Sequence, residues 1–202
     1  MGENTYVENH IRLFSVIAPF YNLAFRSQLR TYRRLLKDNL WRLPDGVETV
    51  LDIGCGTGAF AKALSECGMI VTAVDASMSM VKIARRNLKG TKVKVLKGDF
   101  FGSLPFEDGS FDLIVASYVV HGHRREGREK FYMETRRICK KALLLHEFFP
   151  NRSPVVSFVE FLERSDYRDF VSSALDELKE FYPVVKPVRL SKKTGWYICS
   201  CR

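Results

Sequence analysis

Val50-Leu51-Asp52-Ile53-Gly54-Cys55-Gly56-Thr57-Gly58 decides the fold of this chain. A short apolar run, Val47 to Ile53, leads directly into a glycine-rich loop. Ala59 to Cys67 then reads as a helix, which Gly68 ends. Glycines at such a place permit a tight turn and let a ligand approach the backbone closely. The helix that follows offers free N–H groups to a polar or anionic ligand. A buried strand, a glycine loop and a helix in that order predict a parallel α/β sheet.

Working outward, the alternation continues. Ile70 to Val74 reads as a strand, Ser77 to Leu88 as a helix and Lys92 to Lys97 as the third strand. Glu107-Asp108-Gly109-Ser110 is a turn, Phe111 to Ser117 the fourth strand, Gly127 to Ile138 a helix and Ala142 to Glu147 the fifth strand. Apolar strands alternating with helices argue a sheet covered on both faces. Pro154 to Leu162 and Asp169 to Phe181 read as helices. Val184 to Leu190 and Trp196 to Cys201 read as two strands joined by a Lys192-Lys193-Thr194-Gly195 turn. The expected fold is α/β, a doubly wound seven-stranded sheet, mostly parallel, with a C-terminal antiparallel hairpin. Before it, residues 8–42 read as two helices interrupted at Pro19, with Ile11, Phe14 and Ile17 on one apolar face and Leu29, Tyr32 and Leu36 on another. They are not needed to complete the sheet. We expect them to lie as a lid over the ligand site, with Phe20 or Tyr21 facing it.

The loop by itself leaves two ligands open. Gly54-x-Gly56-x-x-Ala59 also fits the dinucleotide fingerprint. Asp75, at the end of the second strand, would accept ribose hydroxyls in either case. Asp52, two residues before the first glycine, suits a cationic amino-bearing ligand better than a pyrophosphate. Gly98-Asp99-Phe100, after the third strand, offers a polar acceptor and an aromatic edge for an adenine. An NAD-dependent oxidoreductase stays open as the alternative.

Val50 to Gly58 resembles the first cofactor-binding motif of the class I S-adenosylmethionine (SAM)-dependent methyltransferases. Val74-Asp75-Ala76-Ser77-x-x-Met80 resembles their acidic second segment. Gly98-Asp99-Phe100 resembles their third, and Leu104-Pro105-Phe106-x-x-Gly109-Ser110-Phe111-Asp112-Leu113-Ile114 their fourth. More weakly, Phe14-Ser15-x-x-Ala18-Pro19-Phe20-Tyr21-Asn22 resembles the start of the ubiquinone/menaquinone-type enzymes, where Asp usually stands at the position of Asn22. The resemblance implies a Rossmann-like fold with SAM as cofactor. It places Gly54, Cys55, Gly56 and Gly58 along the methionine part of SAM, with Asp52 ordering it. Asp75 takes the ribose, Ala76 and Met80 flank the adenine, and Asp99 and Phe100 bind its edge. Ser117 and Tyr21 complete the expected cofactor set.

Methyl transfer from a sulfonium is an in-line displacement in which the protein mainly aligns and desolvates the acceptor. A base is needed only where the acceptor must lose a proton. The catalytic candidates follow the fourth strand, Tyr118 and His121, with His123 and His146 behind them. The competing reading of His121 is a neutral imidazole bonded to the loop backbone. Ala116-Ser117-Tyr118-Val119 is not the Asn/Asp-Pro-Pro-Tyr segment of amino-group methyltransferases acting on adenine or glutamine.

Composition bounds the rest. The chain has 202 residues, 46% hydrophobic and 27% charged, the size of one domain with a substantial core. We divide it into helical lid (1–46), SAM-binding core (47–147) and C-terminal helices with hairpin (148–202). No apolar stretch is long enough to span a membrane. The start, Met1-Gly2-Glu3-Asn4-Thr5, is not a signal peptide, so the expected compartment is the cytoplasm. Five cysteines, irregularly spaced, are expected to be structural thiols, and no metal site is expected. Net charge is +9. The excess lies in 124–141 and 186–202. Nucleic acid is a possible partner of those segments, or of a SAM-binding module without catalysis. A solvated helix face and a small-molecule acceptor are favoured, since no aromatics interleave for base stacking. Oligomeric state is not legible.

Overall fold

The computed structural model describes residues 23–149 and 167–202. The helix expected at Pro154 to Leu162, the first N-terminal helix, and Phe20 and Tyr21 all lie outside them. Seven strands form a mixed sheet, parallel at first and antiparallel at its C-terminal end, as expected. The chain divides after Asp99 into two compact units.

The first unit holds α1 (Phe25–Asn39) with a 3-10 turn at Leu40–Arg42, β1 (Thr49–Ile53), α2 (Ala59–Glu66), β2 (Ile70–Asp75), α3 (Met78–Asn87) and β3 (Lys94–Lys97). Its strands run parallel in the order β3-β2-β1, with Leu51 opposite Thr72 and Thr72 opposite Lys94. β1 is buried from Val50 to Ile53, whereas β3 buries only Val95. Ser77 caps α3 by accepting from the Met80 N–H. α1 packs on α2 through one apolar face. Leu29 and Leu36 are buried, Tyr32 stacks on Phe60 at 4.5 Å, and Arg33 makes a two-pronged ion pair with Glu66 at 2.7 Å.

The second unit holds β4 (Phe111–Ser117), a 3-10 turn at Val120–Gly122, α4 (Arg125–Ile138), β5 (Cys139–Phe148), α5 (Tyr167–Phe181), β6 (Val184–Arg189) and β7 (Thr194–Ser200). β4 pairs parallel with β5, and β5 and β6 flank β7 antiparallel. Pro187 is tolerated because β6 is an edge strand. The hairpin differs from expectation in one respect. Thr194 and Gly195 belong to β7 rather than to the turn, which closes through Leu190 and Ser191 N–H groups donating to the Thr194 carbonyl. A Cβ on Gly195 would stand 2.6 Å from the Val188 carbonyl oxygen and strike the Phe149 ring. That glycine makes room for packing, not for a turn.

The basic segment 124–141 is partly consumed inside this unit. Arg128 is fully buried. It donates to both oxygens of Glu177 on α5 (2.9 and 2.6 Å), to Asp169 (2.8 Å) and to the His123 carbonyl (2.7 Å). Arg137 spans Glu134 and Asp108, and Arg125 spans Glu129 and Glu180. Alternating charges on a helix face also serve the contacts between helices, a role spacing alone does not reveal.

Candidate functional site

In the first unit the candidates gather where β1, β2 and β3 end. The chain leaves β1 through Gly54, Gly56 and Gly58, all at positive φ (69°, 52° and 82°). Gly54 and Cys55 N–H groups donate to the Val74 carbonyl, which ties the loop to β2. Gly58 cannot be replaced without strain. Besides its φ, a Cβ there would lie 2.8 Å from a Leu88 methyl. Beside Gly56 the space is open, with nothing within 4 Å of a Cβ position.

Asp75 spends both carboxylate oxygens on this loop. Oδ2 accepts from Gly56 N–H at 2.9 Å and Oδ1 from Ser77 N–H at 2.8 Å. Each oxygen has a second lone pair, so ribose hydroxyls can be accepted without breaking these bonds. Burial raises the Asp75 pKa, and the two N–H donors oppose it. Asp75 therefore shapes the glycine loop itself, a duty beyond the ribose contact expected of it.

Asp52 is 1% exposed, and its Oδ2 has no hydrogen-bond partner. Burial pushes its pKa up to about 8. The Ala61 backbone N–H pulls the other way and the Asp75 charge adds to the rise. An orphaned buried acceptor beside a glycine loop fits a cationic ligand group, an ammonium or sulfonium, which would restore the charged form. The residues present thus fit SAM. Cys55 is buried, and burial raises its thiol pKa well above normal, which disfavours the reactive thiolate. Met80 is in the core at 2% exposure, while Met78 is exposed. Ala76 and Asp99 are half-buried in the loops after β2 and β3.

In the second unit the candidates follow β4 and β5. Phe100 stacks on Phe101 at 4.5 Å and meets His123 and Phe131 edge-on, so it is anchored in an aromatic cluster. Ser117 ends β4 opposite His146. Tyr118 then takes φ 55°, the sole positive φ outside glycine among the described residues. For a bulky side chain that costs about 1–3 kcal/mol, and such strain concentrates at functional sites. Its N–H donates to the His146 carbonyl, and its ring meets His146 (4.9 Å) and Phe148 (4.8 Å). Burial, then the Glu147 charge, raises the Tyr118 pKa, while a hydrogen bond with Thr194 lowers it.

His121 is not simply a backbone-bonded imidazole. Its Nδ1 lies 2.9 Å from Oε2 of Glu147, whose other oxygen accepts the Val120 N–H at 2.8 Å. Glu147 is wholly buried, while the His121 side chain is 23% exposed. With the proton on Nδ1, Nε2 is the ring's acceptor atom. His146, next in the strand, is buried, and burial lowers its pKa to about 4, so it stays neutral. Sequence reasoning missed Glu147. It read as the last residue of a buried strand, and nothing in its spacing marked it as the partner of a histidine 26 residues earlier.

A model of the methyltransferase domain matches residues 50–142. A demethylmenaquinone methyltransferase of Renibacterium salmoninarum is 32% identical over 52% of this chain and 44% of its own length. One of Tropheryma whipplei is 28% identical over 98% of this chain and 84% of its own. The chain thus spans under half of the first relative and most of the second. Among solved structures, a SAM-dependent methyltransferase of Aquifex aeolicus aligns with TM-score 0.68 at 22% identity, covering 93% of this chain and 98% of that one. The magnesium protoporphyrin IX methyltransferase of Synechocystis, solved with S-adenosylhomocysteine, aligns with TM-score 0.62 at 16% identity over 85% and 82%.

Proposed function

We propose that this chain, a class I SAM-dependent methyltransferase, methylates a small hydroxylated aromatic acceptor from which His121 removes a proton. The observation that carries the proposal is the His121–Glu147 pair at 2.9 Å, beside the strained Tyr118. SAM supplies an electrophilic methyl group on a sulfonium. The chain's own part is to bind, orient and deprotonate. In the first unit Asp52, Gly54, Gly56, Gly58, Asp75, Ala76 and Asp99 would hold the cofactor, with Cys55 and Met80 as buried walls. In the second, Phe100 and Ser117 are the candidates. Tyr21 is proposed from the resemblance alone. At the acceptor, Nε2 of His121 takes the hydroxyl proton, and buried Glu147 orients the ring and stabilises the imidazolium. Tyr118, His121 and Phe148 meet within 6.3 Å between ring centroids, a setting suited to a flat acceptor.

The relatives named demethylmenaquinone methyltransferases support an aromatic acceptor of the quinone type, whose reduced quinol form carries the hydroxyl that His121 would deprotonate. Among the described residues no helix is long and apolar enough to cross a membrane. We place the protein in the cytoplasm, in keeping with five free thiols. The test is transfer of labelled methyl from SAM to demethylmenaquinol and to simple catechols. The His121→Ala variant should lose about 10²–10⁴ in kcat with SAM affinity unchanged. Full activity in that variant would remove the base from the reaction. No transfer to any phenolic acceptor would remove the acceptor class.

A further inference from the structure

α1 carries a feature that cofactor binding does not use. Arg26, Arg30, Arg34 and Lys37 follow one another on α1 at intervals of three or four residues, the spacing of a single helix stripe, while Leu23 stands just before the helix and Trp41 in the 3-10 turn just after it. All six are exposed, Leu23 at 82% and Trp41 at 73%. From Arg26 to Lys37 the stripe is roughly 17 Å long at 1.5 Å per residue. The other face of the helix is spent on α2, through Leu29, Leu36 and the Tyr32–Phe60 stack. Arg33 is neutralised by Glu66, but no ion pair among the described residues involves Arg26, Arg30, Arg34 or Lys37. Asp38 is the lone acid between Phe25 and Arg42.

We propose that this stripe docks the protein on an anionic lipid bilayer. Four unmatched cations attract acidic headgroups. The exposed apolar residues Leu23 and Trp41 bracket the cations, one before the helix and one after it, as leucine and tryptophan anchors flank an interfacial segment. Trp41 is built for an interface in another way. Its indole N–H donates to the Asp38 carbonyl at 3.2 Å, and the Arg42 guanidinium lies 4.2 Å over its ring. One ring face is therefore covered by a cation and the other is open, an amphipathic body suited to the headgroup region.

The protein reports on itself. It has two tryptophans, and Trp196 is fully buried, so a change in indole emission on binding comes from Trp41. Vesicles of phosphatidylcholine with 30% phosphatidylglycerol should shift the emission to the blue and cosediment with the protein. Phosphatidylcholine alone should do neither. The triple variant Arg26→Glu/Arg30→Glu/Arg34→Glu should lower partitioning by about two orders of magnitude. These side chains are exposed and make no ion pair among the described residues, so its circular dichroism and thermal unfolding should match the parent. Trp41→Phe should cosediment without a blue shift. Four outcomes overturn the proposal: no shift, equal binding to neutral vesicles, undiminished binding by a folded triple variant, or retardation of single-stranded RNA by a protein that ignores the vesicles. None depends on which acceptor is methylated.

Discussion

At the scale of single residues, the candidate site holds carboxylates in places where burial opposes their charge. Asp52 is the clearest case, a buried carboxylate whose pKa is pushed up to about 8 mainly by burial. The folded protein holds that proton more tightly than the unfolded chain. Its contribution to stability is therefore undiminished below about pH 4 and is lost as pH rises toward 8. Asp52→Asn has no such slope. It should be more stable than the parent by about 2–4 kcal/mol at pH 8, with the gap closing by pH 4, as read by urea denaturation. The same variant should bind SAM at least tenfold more weakly at pH 8, because a neutral amide cannot answer a cationic ligand. A variant that gains stability and keeps affinity would move the ligand away from Asp52.

At the scale of elements, two connections invite tests. Arg128 ties α4 to α5 through Glu177, and it holds the His123 carbonyl next to the turn that carries His121. Arg128→Ala takes from buried Glu177 its two-bond cation, leaving the Ser173 hydroxyl and the more distant Arg125, and should cost about 3–5 kcal/mol in thermal denaturation. Arg128→Met/Glu177→Leu, which removes both charges, should recover most of that loss. α1 is tied to the glycine loop, since the Thr57 hydroxyl donates to Gln28 at 3.1 Å. If α1 and the residues before it cover the cofactor, proteolysis near residues 20–28 should slow markedly when S-adenosylhomocysteine is added. Equal cleavage with and without it would leave α1 a purely structural helix on α2.

At the scale of the whole molecule, the cofactor assignment predicts a selective response. S-adenosylhomocysteine should raise the melting temperature and NAD should not; stabilisation by NAD alone would overturn the assignment. The strand–helix order, the sheet's change of direction and the acid–glycine loop were all legible in the sequence. They depend on local rules: apolar runs make buried strands, glycines permit positive φ, and Ser77 caps the helix after β2. Asp75 was singled out by its place at a strand end. Its two bonds to Gly56 and Ser77 were not, since side-chain geometry is set only when the loop closes. Gly195 looked like a turn residue because spacing cannot show that Phe149 and the Val188 carbonyl press on it from across the sheet. His121 was legible as a histidine after the fourth strand, and Glu147 only as the end of the fifth. Their pairing was decided by the parallel register of β4 and β5. That register brings together residues far apart in the chain, and burial in the low-dielectric core then makes a carboxylate beside an imidazole consequential.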